Sequence, residues 1–173
     1  QYHLKVLSRG RTGLVAHAAS WNRPDQPPPG FTGESYLLAF YPSPKHAEAF
    51  AAASHCLLGS GPSDWMPGAV GALHAKICNN QLDGKRLKIS MLQGCFLASN
   101  SAELTKRVAK KYAGWKHNLI HAAFDKVENL GFRTITYDSV WQTLHSGRVF
   151  KDIATKRGYR VVETGHRLEA HRD

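Results

Sequence analysis

The sequence lacks long hydrophobic runs and has few cysteines. Apolar stretches such as Tyr36–Tyr41 are only a handful of residues long, whereas a helix needs about 20 apolar residues to cross a bilayer. We therefore predict no membrane-spanning helix. The three cysteines, Cys56, Cys78 and Cys95, are odd in number and irregularly spaced, which argues against a disulfide framework and favours a reducing compartment. We expect a cytoplasmic protein.

Acidic residues are also scarce relative to basic ones. The chain has 13 Asp plus Glu against 23 Lys plus Arg, a formal charge of +10 with histidine neutral. Such a basic protein favours polyanionic contacts, which include nucleic acid, anionic lipid and the phosphates of a cofactor. With 42% hydrophobic residues and 10% aromatics, the chain has enough apolar material for a core, which excludes wholesale disorder. Its 173 residues fit one domain, 1–173.

Extended patterns, turns and helical periodicity alternate along the chain. The stretch 22–33 is rich in proline and predicts an exposed loop, because proline removes backbone donors and fixes φ. The apolar stripe from Trp115 to Leu130, followed by Gly131, predicts a helix with its C-terminal stop. The remaining predicted elements are strands at 2–7, 14–19, 36–41, 86–93, 132–137 and 159–163, and helices at 45–58, 66–80, from 101–103 onward, and at 147–157. The order of elements is that of an α/β protein, and we assign no element to the tail after 163.

The second half of the chain resembles a known family. The segment Gly114–Asp138 resembles the central motif of the GNAT superfamily of acyl-CoA N-acyltransferases, and Phe150–Val161 is similar to its closing helix and strand. Together they cover a little under half of the chain. The resemblance implies a mixed, mostly antiparallel sheet flanked by helices. It also implies transfer of an acyl group from acyl-CoA to an amine, with acetyl-CoA as the expected acyl-CoA.

The resemblance also implies a binding site for acyl-CoA. Its pyrophosphate would meet a basic turn at 111–116, and its pantetheine arm would lie along a splayed strand. Independently of the family, a helix N-terminus offers free N–H groups and a favourable dipole to an anion. The basic cluster from Lys106 to Lys116 would otherwise be a solvated helical face. The candidate cofactor-binding residues are Met91, Leu92, Gln93, Lys110, Lys111, Gly114, Trp115 and Lys116.

Two residues are candidates for acid–base catalysis. Asp138 ends a predicted strand and His145 precedes a predicted helix, and strand ends are where α/β proteins usually place chemistry. A histidine of ordinary pKa can deprotonate an amine; capping or turn hydrogen bonding is the competing interpretation for both residues. Many family members carry a tyrosine four residues before the closing glycine, where this chain has Ala154. The proton donor is therefore left open.

Metal and thiol chemistry are weaker hypotheses. The pairs His74/Cys78 and His117/His121 place two ligands one helical turn apart, yet they match no compact zinc spacing and no Cys-x-x-Cys motif is present. We predict no metal site. Cys95 follows a predicted strand without a fixed histidine or acid partner, so a nucleophilic role has little support.

Two other classes of function stay open. A non-catalytic module that binds RNA or DNA would use the basic cluster and the edge Lys85–Lys88 as phosphate contacts. The third hypothesis is that the chain is a subunit or domain of a larger assembly. The start at Gln1 and the proline loop favour it. The acceptor and the oligomeric state are not predicted, although the charge favours a nucleic-acid-linked amine such as aminoacyl-tRNA, an acidic protein or a small metabolite.

Overall fold

The computed structural model describes residues 3–9, 14–20, 35–41, 70–80, 84–94, 110–138, 144–165 and 167–173. Within these ranges eight strands form one sheet, in the order β1-β2-β3-β4-β5-β6-β8-β7. The strands are β1 (His3–Arg9), β2 (Leu14–Ser20), β3 (Ser35–Tyr41), β4 (Gly71–Asn80), β5 (Gly84–Gly94), β6 (Thr134–Asp138), β7 (Arg160–Thr164) and β8 (Arg167–His171), and the helices are α1 (Trp115–Asn129) and α2 (Leu144–Lys156). Neither helix is long and apolar enough to cross a bilayer.

The sheet is mixed, and one pair of its strands is parallel. Every other neighbouring pair is antiparallel, while β5 and β6 run in the same direction. Parallel neighbours need a crossover connection, and α1 lies in the connection between these two strands. The predicted mixed, mostly antiparallel sheet with helices is confirmed.

Both helices pack on one side of the sheet, which we call the helix face. The ring of Trp115 on α1 lies directly over Gly71 of β4, and Phe150 on α2 lies 5.7 Å from Tyr137 of β6 between ring centroids. Alternate residues of the central strands point to this side and are buried with the apolar stripe of α1. The strand residues of this core are Leu38, Phe40, Leu73, Ala75, Leu87, Ile89, Ile135, Tyr137, Leu168 and Ala170.

The opposite side, which we call the second face, is polar. Strand alternation and register place charged and hydroxyl side chains there in rows across the four strands β4, β5, β6 and β8. One such row is Lys76, Lys88, Thr136 and Glu169. The helix face therefore holds the apolar core, and the second face holds the charged and hydroxyl side chains of these strands.

The predicted helix over 66–80 is wrong for the part that the structure describes, because Gly71–Asn80 forms β4. Leu73 and Ala75 are buried, while His74 and Lys76, which alternate with them, are half-buried. Burial therefore repeats every second residue, as in a strand. Alanine favours helices locally, but β4 gains ladders with both β3 and β5, and tertiary pairing outweighs that propensity.

The tail contains an element that sequence patterns did not reveal. Arg167–His171 forms β8 and inserts between β6 and β7. It has only two apolar residues, Leu168 and Ala170, both buried on the helix face, and its charged residues are stabilised by ion pairs on the second face. With six charged or ionisable residues among the ten of 164–173, the sequence of the tail gave no signal of a strand inside the sheet.

The other predicted elements agree with the structure within a few residues. The strands β1, β2, β3 and β5 were expected, and α1 ends at Gly131 as predicted, with φ at +72°. The proline loop 22–33, the helix 45–58 and the helix start at 101–103 lie outside the described residues.

The packing of Trp115 on Gly71 gives a stability prediction. A Cβ at Gly71 would lie 2.2 Å from the Trp115 ring, so Gly71→Ala should lower the free energy of unfolding by about 1–3 kcal/mol through overpacking. Urea denaturation measures this. In a Trp115→Leu background the same substitution should cost much less, because the clashing ring is gone. An equal cost in both backgrounds would contradict the packing.

Candidate functional site

The parallel pairing of β5 with β6 is short and ends inside β5. Three residue pairs connect the strands, and the last of them is Ile89 with Tyr137, which we call the vertex. β5 continues to Gly94, still paired with β4 but with no β6 residue beside it. Within the described ranges the edge from Ser90 to Gly94 therefore faces a gap, where its backbone groups are available to a ligand.

A β-bulge lies at the start of this edge. His74 pairs with Met91 and the next residue, Ala75, pairs with Ile89, so Ser90 is the extra residue on β5. Its Oγ lies 2.9 Å from Nδ1 of His74 and 3.2 Å from the carbonyl oxygen of the same residue. The bulge thus places a serine and a histidine together on the second face, beside the vertex.

His74 is neutral at physiological pH. Burial of the imidazole, and secondly the nearby Lys76 ammonium, lower the pKa of His74 to about 4. A neutral imidazole forms a hydrogen bond with the Ser90 hydroxyl and adds no charge to the vertex.

A phenol lies at the vertex on the helix face. Tyr137 is only 1% exposed, and burial raises the pKa of its hydroxyl, an effect that a hydrogen bond with Ser146 of α2 opposes. The group therefore remains protonated at neutral pH. Sequence analysis treated Tyr137 only as a strand residue, and the register with β5 is what brings it to the vertex.

The N-terminus of α1 is a glycine turn of the type that binds anions. Gly114 is the N-cap with φ +88°, in the left-handed region that favours glycine. The amide of Trp115 donates to Tyr112 and that of Asn118 to Gly114, so helix geometry leaves the amides of Lys116 and His117 for an outside acceptor. No acidic residue lies in the first turn. An anion here meets free donors and the positive end of the helix dipole.

This turn opens into a cleft of about 460 Å³ between the N-terminal ends of the two helices. Its lining residues are Ala113, Gly114, Trp115, Lys116, His117, His145 and Val149. The cleft lies at the carboxyl end of β5, because Trp115 packs on Gly71, which pairs with Gly94. Val149 on its wall is next in sequence to Phe150, whose ring lies 5.7 Å from that of Tyr137 between centroids.

The cleft is positively charged. Lys116 is half-buried, with Nζ 5.5 Å from the centroid of the Trp115 ring, and burial lowers the pKa of its ammonium. Lys110 and Lys111 precede the turn and are exposed. An anionic ligand in the cleft would offset the cost of desolvating Lys116.

The structure brings some of the candidate residues together and separates others. Gly114, Lys116 and His145 line one cleft. The Trp115 ring also belongs to the lining, but it is 6% exposed and packs on Gly71, so it offers little open face for stacking on a base. Asp138 lies elsewhere.

The strand residues Met91, Leu92 and Gln93 all belong to the edge beside the gap. Leu92 is buried towards the helix face, and the bulge puts half-buried Met91 on the second face. The carboxylate of Asp138 is held by two cations on the second face, Lys88 at 2.8 Å and Arg167 at 3.5 Å.

The histidine pairs considered for metal binding differ in the structure. His74 and Cys78 lie on a strand rather than a helix. His117 and His121 lie on α1 with Nε2 atoms 3.1 Å apart, and burial first, then the neighbouring His117, lowers the pKa of His121. No group of three possible metal ligands occurs among the described residues. Cys56 and Cys95 lie outside them.

Comparison with known proteins adds similar folds at low identity. No protein family matches the sequence, and no curated protein is similar to it at a significant level. One similar solved structure is described as the NatC complex bound to Gag peptide and CoA, with a TM-score of 0.44 and 11% identity over 80% of this chain and 71% of that one.

A second is described as a probable GNAT-family acetyltransferase from Chromobacterium violaceum ATCC 12472, with a TM-score of 0.33 and 14% identity over 80% of this chain and 57% of that one. The strand order of this chain and the end of the β5–β6 pairing at Ile89 fit the mixed, mostly antiparallel sheet that the family resemblance implies.

The lowered pKa of His74 predicts acid sensitivity. Between pH 6.5 and 4 this histidine becomes protonated in the unfolded chain but stays neutral in the folded one. The free energy of unfolding therefore decreases as the pH falls, by about 2–3 kcal/mol in total. His74→Gln keeps a partner for Ser90 but cannot titrate. Urea unfolding at several pH values should therefore show a shallower decline for the variant, and identical pH profiles would contradict the assignment.

Proposed function

We propose that this protein is an N-acyltransferase that uses an acyl-CoA, acetyl-CoA in the first place, to acylate an amine. The observation that carries the proposal is a coincidence of two features at one end of β5. The strand loses its parallel partner after Ile89, and the glycine turn of α1 opens into a cleft at the carboxyl end of the same strand. Together they offer an extended path with an anion site at its outer end.

The residues of the turn fit the pyrophosphate of such a donor. The amides of Lys116 and His117 would provide donors, Gly114 permits the left-handed turn, and the exposed Lys110 and Lys111, which precede the turn, would add positive charge. The volume of about 460 Å³ lies in the range of small-ligand sites. His145, exposed on the opposite wall, would donate a hydrogen bond to the same ligand.

The edge of β5 would bind the pantetheine arm and thioester. Backbone groups near Met91, Leu92 and Gln93 lack a β6 partner, and an N–H group there would polarise the thioester carbonyl. Bound acyl-CoA supplies the activated acyl carbon. The amine nitrogen bonds to that carbon as the carbon–sulfur bond breaks, and the proton that the nitrogen releases balances the one that the thiolate takes up.

The acid–base groups have different proposed roles. Asp138 would position the vertex, because its carboxylate bridges Lys88 of β5 and Arg167 of β8. Tyr137 would be the proton donor to the departing thiolate, in place of the tyrosine that is absent at Ala154. Its support is its position: it belongs to the last β5–β6 pair, and its ring contacts Phe150, next to the cleft residue Val149.

The donor site can be tested by ligand-induced stabilisation. Acetyl-CoA at 100 times its Kd should raise the free energy of unfolding by about 2.7 kcal/mol. Gly114→Ala forces alanine into φ +88°, which reshapes or strains the turn, and should weaken binding at least tenfold. Thermal unfolding with and without acetyl-CoA measures both effects.

Gly131→Ala is the matched control. Gly131 ends the same helix with φ +72° and, like Gly114, has no atom within 4 Å of an added Cβ. It should lose similar stability, about 1 kcal/mol, but keep the acetyl-CoA shift. Absence of a shift in the native protein, together with RNA affinity that falls steeply with salt, would instead support the nucleic-acid reading.

The role of Tyr137 can be separated from binding. Tyr137→Phe keeps the ring against Phe150 and removes only the hydroxyl. We expect acetyl-CoA binding to persist while kcat falls about 10- to 100-fold, in the range of lost acid–base catalysis. Unchanged turnover would assign the proton to solvent instead.

A further inference from the structure

Among the residues that the structure describes, Lys76 is a cation of the second face without an ionic partner. It is half-buried on β4, and the register places Lys88 of β5 directly opposite. Like charges in such a cross-strand pair destabilise a sheet. Lys88 has Asp138 at 2.8 Å, but no residue in the described ranges forms an ion pair with Lys76.

The carboxylates of this face are already shared. Asp138 serves Lys88 and Arg167, and Glu169 serves Arg167 at 3.5 Å and Arg86 at 3.9 Å. Among the described residues, these two carboxylates therefore face three cations even before Lys76 is counted. The described part of the face carries excess positive charge, which an anionic ligand would offset.

Lys76 also lies close to the vertex. Its neighbour Ala75 pairs with Ile89, so strand spacings put the Cα atoms of Lys76 and Ile89 within about 6 Å. The Ser90–His74 pair lies on the same face, and Lys76 is near enough to His74 to contribute to the lowering of its pKa. A ligand held by Lys76 would therefore reach the vertex within a few bonds.

We propose that Lys76 binds a carboxylate of the acceptor, so that the acceptor is a small amine that carries a carboxylate, with Ser90 oriented by His74 to accept a hydrogen bond from its nitrogen. The inference rests on the proposed acyltransferase function. One ammonium without an ionic partner in the described ranges matches the single charge of a carboxylate, whereas a phosphate dianion calls for a second such cation.

Matched acceptors test the inference. Glycine, β-alanine and 4-aminobutyrate are compared with ethylamine, n-propylamine and n-butylamine, in which a methyl group replaces each carboxylate. Release of free thiol from acetyl-CoA gives kcat/KM for each. We expect at least one amino acid to exceed its matched amine about tenfold or more, and Lys76→Met to abolish that preference while acetyl-CoA binding persists.

Lys156→Met is the matched control. Lys156 is the exposed last residue of α2, which packs on the helix face rather than the second face, and among the described residues it pairs with Asp152 at 3.0 Å. Its removal subtracts the same charge and should preserve the preference for the carboxylate. Loss of the preference in both variants would mean that net charge, rather than a site at Lys76, attracts the acceptor, which overturns the inference.

A binding measurement separates this inference from the proposed function. Titration of the protein with butyrate, which is 4-aminobutyrate without its amine, in a calorimeter and without acetyl-CoA, should show saturable binding that Lys76→Met weakens at least tenfold and Lys156→Met does not. Butyrate binding of this kind without any acetyl-CoA binding would support the carboxylate site and refute the acyltransferase. Acyl transfer without dependence on Lys76 would do the reverse, and neither result would refute both.

Discussion

The short parallel ladder between β5 and β6 is the constraint on which the rest of the structure depends. Three pairs are enough to fix the crossover through α1, and their end at Ile89 and Tyr137 releases the last five residues of β5 from one neighbour. A longer ladder would close the gap and satisfy those backbone groups within the sheet. A shorter one would not hold Tyr137 on the helix face and Ser90 and Asp138 on the second face beside the same gap.

The position of α1 follows from a single contact. Because Trp115 packs over Gly71, which has no side chain, the first turn of the helix lies directly on the end of the β4–β5 ladder. The ring takes little part in ligand contact and much in fixing the turn. Rigid elements of this kind hold a binding site more accurately than a loop does, and the Gly114 turn gains its fixed direction from the core beneath it.

Local signals in the sequence predicted what local physics determines. The stripe of α1 and the left-handed glycines at 114, 131 and 158 could all be read from spacing and residue type. Of the cleft residues, Gly114 and Lys116 were proposed from the family resemblance, and His145 from its place before a predicted helix. These features depend on neighbours within a few positions of the chain.

Features that depend on distant residues could not be read in this way. β4 resembles a helix until its ladders with β3 and β5 are known, and β8 is a central strand only because Asp138 and its other neighbours neutralise its charges. The bulge at Ser90 exists only relative to His74, which is 16 positions away in sequence. Register is a long-range property, and every group at the vertex depends on it.

The excess positive charge of the chain is found at two places, the cleft and the second face, and has a different consequence at each. At the cleft, Lys116 and the end of α1 favour an anionic donor and leave the vertex itself uncharged. On the second face, Lys76 favours a carboxylate and at the same time disfavours a protonated amine nearby, since like charge lowers the pKa of an ammonium. The proposed acylation requires the neutral amine. A cation beside the vertex would therefore aid it twice, because it would bind the carboxylate of the acceptor and shift the acceptor nitrogen towards the nucleophilic form, while the neutral His74 adds no charge there.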